Sequence, residues 1–214
     1  MSADELLATY SGLGTRDGEN YYKGEECLAC VKDLIRFLRN DELVSSRVRR
    51  HLGQARILQR DLIPILSNFH QDKVVRNDVL KLMLNLTLPA HLVYGNELVD
   101  RKKDVTALKY YSEVEAYLRD YKEAFASEEK SIAVLVNILA DHLKEEWHSR
   151  QEDDCIAVER VLVILRNILY TPVAPNEEKR TDDDCNLHDQ LVWNLHSNAC
   201  HQNGTEILPS KLMH

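Results

Sequence analysis

Between Ile156 and Leu169 the chain is apolar except at Glu159, Arg160, Arg166 and Asn167, and this run constrains the fold more than any other feature. A helix that is apolar on almost all sides has no face to give to water, so other helices must surround it. Its ends are marked. Glu152, Asp153 and Asp154 bring negative charge and capping oxygens to the amino end, where free N–H groups point outward. Pro172 lacks an N–H and pushes its predecessor out of the α region, which stops the helix. A bilayer span needs about 20 apolar residues, and this run is too short and too charged for one. The stretch reads as a buried core helix, and no membrane partner is expected.

Composition agrees with helices. Only 7 Gly and 5 Pro among 214 residues argue against a turn-rich all-β fold. A formal charge of −8 disfavours wholesale nucleic-acid binding, although a local basic patch remains open. No secretory signal is visible in residues 1–22. The 5 cysteines are odd in number and mostly in helical phase, as expected of reduced thiols in cytosol or nucleus.

The apolar spacing lays out the rest. Cys27, Val31, Leu34, Ile35 and Leu38 recur at three- and four-residue steps, which predicts a helix over Glu25–Arg39. Ser45 or Ser46 is expected to cap the next helix. An unbroken helix as far as Phe69 would put Pro64 in its interior at a cost of about 3 kcal/mol. With Asp61 as N-cap, Pro64 falls in a first turn, so a break is expected near Gln59–Asp61. Further helices are expected over Lys73–Leu88, Val105–Phe125, from Ser127 to about Trp147, and over about Asp184–His196. Residues 1–196 then form one helical domain, and 197–214 an irregular tail.

Val79-Leu-Lys-Leu-Met-Leu-Asn85-Leu-Thr and Val161-Leu-Val-Ile-Leu-Arg-Asn167-Ile-Leu align without a gap, and a proline follows each. Asn85 and Asn167 are 82 residues apart, two periods of 41. Armadillo and HEAT units repeat at about 40–47 residues, and each needs its neighbours to bury its apolar helix. The expected fold is therefore all-α, an armadillo- or HEAT-like α-solenoid open at its C-terminal end, with a closed helical bundle as the alternative.

Few residues invite chemistry. Cys27 and Cys30 have the spacing of a redox pair or half a zinc site. Both fall on an apolar helix face with no second pair at a suitable distance, so core packing is expected. Cys185, His188, His196 and Cys200 offer four soft ligands, but surface placement accounts for them better. The acidic runs 145–146, 152–154 and 182–184 sit at predicted helix ends, where solvation and the helix dipole explain them. No phosphate loop, nucleophile elbow or HExxH is present, so neither an enzyme nor a cofactor is expected.

Two groups remain as binding candidates. Arg47, Arg49, Arg50, Arg56 and Arg60 form the densest basic group and are candidate contacts to DNA phosphates; the competing reading is a solvated face with local ion pairs. Asn85 and Asn167 are candidates to line a partner groove, or else to bond neighbouring helix termini.

Several segments resemble the amino-terminal domain of the Timeless family of replication-fork-protection proteins. They include Glu5-Leu-Leu-Ala-Thr, Cys27-Leu-x-x-Val-Lys-Asp-Leu-Ile-Arg, Ile57-Leu-Gln-x-Asp-Leu-x-Pro-Ile-Leu and His70-Gln-Asp-Lys. Others are Asn85-Leu-Thr-x-Pro-Ala, Tyr121-Lys-Glu-Ala-Phe-Ala-Ser, Arg150-Gln-Glu, Arg166-Asn-Ile-Leu, Asp182-Asp-Asp and His188-Asp-Gln-Leu. The resemblance covers roughly residues 5–196. It implies an armadillo-like, non-enzymatic scaffold in the nucleus, partnered with Tipin and with replicative helicase and polymerase subunits. Fork pausing, S-phase checkpoint signalling and cohesion are the roles it implies. Duplex DNA is an alternative partner. Some members are also linked to clock proteins such as cryptochrome, which makes a circadian or transcriptional role the other alternative. The family continues beyond His188-Asp-Gln-Leu with more apolar helices, whereas this chain turns polar from Ala199. It looks like a truncated form, so Leu191, Trp193 and Leu195 are expected to form a partly exposed apolar end.

Overall fold

The helices follow from local signals that the computed structural model makes explicit. It describes residues 2–10, 12–13, 16–17, 20–21, 25–39, 42–89, 105–127, 129–144, 152–169 and 190–194. Helix α1 (Ala3–Thr9) opens with a capping box: the Ser2 hydroxyl accepts from Glu5 N–H, and Glu5 Oε2 accepts from Ser2 N–H. Two short strands, β1 (Arg16–Asp17) and β2 (Asn20–Tyr21), pair antiparallel, with Arg16 opposite Tyr21. All the other elements are helical: α2 (Glu25–Leu38), α3 (Glu42–Gln54), a π-helical turn (Leu58–Leu62), α4 (Ile63–Phe69), α5 (Lys73–Leu86), α6 (Val105–Ser127), α7 (Glu129–Lys144) and α8 (Glu152–Leu169). Residues 190–194 are helical as well. The fold is all-α. No helix among the described residues is long and apolar enough to cross a membrane.

Helix α5 sits centrally, packed against α8 on one side and α2 on the other. Its own sequence explains its limits. Asp72 caps it by accepting from Val74 and Val75 N–H at 3.1 and 3.0 Å, and Thr87 N–H closes it onto the Met83 carbonyl. Val75, Val79, Leu80, Leu82, Met83 and Leu86 fill its buried sides. Helices α7 and α6 continue the core through Ile132, Leu135, Leu118, Tyr121 and Phe125.

Four expectations about helix ends change. Ser45 and Ser46 lie inside α3 and are buried; the Ser45 hydroxyl donates to the Leu38 carbonyl at 3.0 Å, closing the end of α2 instead of opening α3. Ser127 belongs to α6, its hydroxyl donating to the Ala124 carbonyl. The chain breaks at Ala55–Arg56, where Arg56 has φ 50°, earlier than Gln59–Asp61. After the break, Ile63 N–H bonds the Leu58 carbonyl five residues back, and this wider turn delivers Pro64 into the first turn of α4. Pro64 sits where expected, but Asp61 is no cap. It is fully buried in the π-helical turn and accepts from Tyr10 Oη at 2.8 Å and Arg60 Nη2 at 3.1 Å. Gly12, at φ +135°, lets the chain pass beside that carboxylate, which ties the amino-terminal segment to the break.

The core helix needs a correction too. Helix α8 buries Ala157, Val161, Ile164, Leu165 and Ile168, yet Leu162 is 54% exposed, in line with exposed Cys155, Glu159 and Arg166. It is enclosed on most of its circumference and keeps one face to solvent.

Candidate functional site

The first turns of α5 and α8 meet at their amino ends. Lys73 and Arg76 are three apart in sequence, so both project from one side of α5. Opposite them, Asp154 stands in the first turn of α8, where a carboxylate also offsets the positive helix end. Asp154 Oδ2 accepts from Lys73 Nζ and Oδ1 from Arg76 Nη2, each at 2.6 Å. Asn77 Nδ2 donates to the Asp153 carbonyl at 3.2 Å, and Arg160 Nη1 donates to the Asn77 carbonyl at 2.7 Å. Burial alone would raise the Asp154 carboxyl, but the bonds and charges of Lys73 and Arg76 outweigh it and hold it below the usual carboxylate range.

This seam forms one wall of a polar cleft of about 80 Å³. His70 and Gln71, just past α4, and Asp141 and His142, in the last turn of α7, form the others, with Ile138 and Ala157 between them. Gln71 Nε2 donates to Asp141 Oδ2 at 3.3 Å, and Lys144 Nζ reaches Asp141 Oδ1 at 3.2 Å. Among the residues lining the cleft, three buried nitrogens have no hydrogen-bond partner: Arg76 Nε, His70 Nδ1 and His142 Nδ1. The charges of the cleft's lining balance, Lys73 and Arg76 against Asp141 and Asp154.

The arginine group does not form one face. Arg49 is 5% exposed and donates to Ser45 Oγ and to the Asn85 carbonyl, so it closes the end of α5 from inside. Arg50 pairs with Glu113 at 2.8 Å, and Arg60 with Asp61 while lying over the Tyr10 ring. Only Arg47, half exposed and paired with Asp4, and exposed Arg56 lie open to solvent. Burial and internal pairing thus remove Arg49, and largely Arg50 and Arg60, from the expected phosphate-contacting surface.

The two asparagines are likewise internal. Asn85 is 8% exposed, with Nδ2 donating to the Lys81 carbonyl one turn back. Asn167 is 1% exposed, and its Oδ1 accepts from Arg166 Nη2 at 3.4 Å. Both are buried, so neither lines an open groove among the described residues. At the carboxyl end Leu191 is buried at 1%, contrary to expectation, while Trp193 is 48% exposed as expected. Asn194 Nδ2 fastens this segment to the Ala126 carbonyl at 2.7 Å. Leu195 lies outside the described residues, as do Glu145–Glu146 and the possible zinc ligands Cys185, His188, His196 and Cys200.

Burial pushes the Cys27 and Cys30 thiols up to about 11, with the Asp61 charge adding to the rise. Such thiols are poor nucleophiles at neutral pH. Packing accounts for Cys27, which belongs to the core.

Sequence reasoning missed the Lys73–Arg76–Asp154 triad, although a signal was present. Two cations in the first turn of α5 stand at the positive helix end, where they are unfavourable unless an acid answers them.

Residues 20–202 match the family model described as Timeless protein. The chain is 47% identical over 192 residues to the human "Protein timeless homolog", covering 90% of this chain and 15% of that protein. The mouse protein of the same name is 46% identical over 192 residues, covering 90% and 16%. The Drosophila melanogaster "Protein timeless" is 26% identical over 201 residues, covering 91% and 14%. The chain thus spans about a sixth or less of the length of these relatives.

Proposed function

We propose that this chain, which belongs to the Timeless family, is a non-enzymatic helical scaffold of the replication fork, where it binds Tipin and replicative helicase and polymerase subunits in the nucleus. Its helices stack as an armadillo-like solenoid. The observation that carries this reading is the seam between the two repeat-related helices. Bonds joining Lys73 and Arg76 to Asp154, Asn77 to the Asp153 carbonyl and Arg160 to the Asn77 carbonyl span 76 to 83 residues, close to twice the repeat period. Amino end meets amino end, so α5 and α8 run side by side in the same direction. In a solenoid each unit touches only its neighbours, so the direct packing of α5 on α8 makes the stacking unit about 82 residues, twice the 41-residue spacing.

A scaffold supplies surfaces instead of reacting groups, and the exposed residues Val74, Leu162, Val192 and Trp193 are of the kind that partners cover. The test is capture of purified Tipin and of purified helicase subunits by the full chain, after circular dichroism has verified that it is helical. Capture of Tipin is expected; a folded chain that binds none of these proteins overturns the reading. A duplex-contacting role has less to stand on, because only Arg47 and Arg56 of the five arginines lie open to solvent. Its signature would be an affinity that falls steeply with salt and is lost on reversing the charge of those two residues.

A further inference from the structure

We infer that two copies of this chain associate through the open side of α8, the two helices running antiparallel about a two-fold axis beside Leu162. The inference goes beyond the scaffold reading and does not depend on it.

The first argument is which side of α8 is open. Its bonds to α5 leave from Asp154, the Asp153 carbonyl and Arg160. Cys155, Glu159, Leu162 and Arg166 are all exposed and follow one another at steps of four, three and four, so they form one stripe along the helix. Leu162, 54% exposed, stands in the middle of it. The second argument is charge. Neither Glu159 nor Arg166 makes a salt bridge with another residue, and Arg166 has only a 3.4 Å bond to Asn167 beside it. The two flank Leu162 and stand seven residues apart, with residues 162 and 163 midway. Seven residues are almost two full turns, so both lie on one flank of the stripe. A two-fold axis at the midpoint keeps each residue on its own flank and reverses the helix direction. It therefore sets Glu159 against Arg166 of the second copy, Arg166 against its Glu159, and the two Leu162 side chains against each other. A two-fold contact uses one patch twice and must be self-complementary; this stripe meets that condition, with an apolar contact between two ion pairs. A parallel pairing would oppose Glu159 to Glu159 and Arg166 to Arg166, a like-charge cost that disfavours it. The third argument is size. The stripe covers about three helical turns, so the contact falls below the roughly 1,200 Å² of standard interfaces and the association is weak.

Sedimentation velocity of the full chain, up to about 0.5 mM, should show a monomer–dimer equilibrium with a dissociation constant of about 0.1 mM. Glu159→Arg opposes like charges twice and should weaken the dimer at least about tenfold, and so should Arg166→Glu. The double variant, Glu159→Arg with Arg166→Glu, restores both pairs in reverse and should recover the native constant. All are exposed positions, and circular dichroism verifies that each variant is helical. Oxidation reads the register. Leu162→Cys should give a disulfide-linked dimer, because the axis sets the two copies of that position side by side. Native Cys155 should not, since its two copies lie about 22 Å apart along the helices. Four results overturn the inference: a chain that stays monomeric throughout that range, a dimer indifferent to both single reversals, no recovery in the double variant, or cross-linking through Cys155. Because Tipin capture is measured separately, a monomeric chain that still captures Tipin loses this contact and leaves the scaffold reading intact.

Discussion

Asp154→Asn should be among the most damaging single changes in the chain, and the size of the effect follows from what it leaves behind. The carboxylate is 8% exposed and neutralises Arg76, whose side chain is 11% exposed. Removing one member of a buried ion pair costs about 3–5 kcal/mol, because the other charge stays buried without compensation. The Lys73 side chain is 38% exposed and can turn to water, so its share is at most about 1 kcal/mol. Asn retains an acceptor oxygen and nearly the same shape, which places the expected loss near the lower bound, about 3 kcal/mol. For a domain of this size that corresponds to a fall in melting temperature of about 6–12 °C. Urea melts of the variant, of Arg76→Met and of the double variant form a cycle, and a coupling of about 2 kcal/mol is expected. The pH dependence supplies an independent check. The folded carboxyl titrates below its unfolded value, so its stabilisation is complete above the unfolded value of about 4 and disappears as pH falls through the folded one. The native protein should therefore lose stability in acid more steeply than Asp154→Asn. A coupling below about 0.5 kcal/mol, or parallel acid profiles, would refute the reasoning.

Gly53→Ala should destabilise by about 1–3 kcal/mol, since a Cβ there would lie 2.4 Å from the Tyr117 ring; Tyr117→Ala in the same chain should recover part of the loss in a urea melt. Tyr10→Phe removes a hydrogen bond to the buried Asp61 carboxylate and should cost about 1.5–3 kcal/mol, with proteolysis of the amino-terminal segment accelerating before global unfolding. Iodoacetamide at pH 8 should label exposed Cys155 before Cys27 and Cys30, because thiols raised to about 11 hold roughly one part in a thousand as thiolate at that pH; equal labelling of Cys27 by mass spectrometry would contradict the buried placement.

Whatever depends on neighbours along the chain was legible. The three–four spacing located α2, apolar runs marked α5 and α8, and Pro64 declared a first turn. What failed were polar residues whose partners lie far away in sequence. Ser45 reads as a cap until its hydroxyl is seen to reach Leu38 on the preceding helix. Asp61 reads as a cap because nothing local reveals Tyr10, 51 residues earlier, as its donor. Arg49 looks like one more surface cation, whereas its guanidinium answers the Asn85 carbonyl 36 residues on. A charged side chain is assigned to solvent by default, and each of these exceptions is the internal closure of a helix end or a break.

The Asn85–Asn167 correspondence identified two neighbouring helices correctly and left their asparagines between a partner groove and internal bonding, of which burial favours the second. Similar sequence at a fixed spacing means similar surroundings, and in stacked helices the surroundings most alike are those facing the neighbour. A residue shared by two such helices is therefore as apt to sit at the contact as in an open groove. What distinguishes the seam is charge that differs between the two helices: cations open α5 and acids open α8, so one answers the other at Asp154. Apolar packing alone would tolerate a slip of one turn between two such similar helices. Salt bridges at their amino ends do not, since a shift of 5.4 Å would part both cations from the carboxylate. Apolar burial supplies the attraction between α5 and α8, and the triad sets their register.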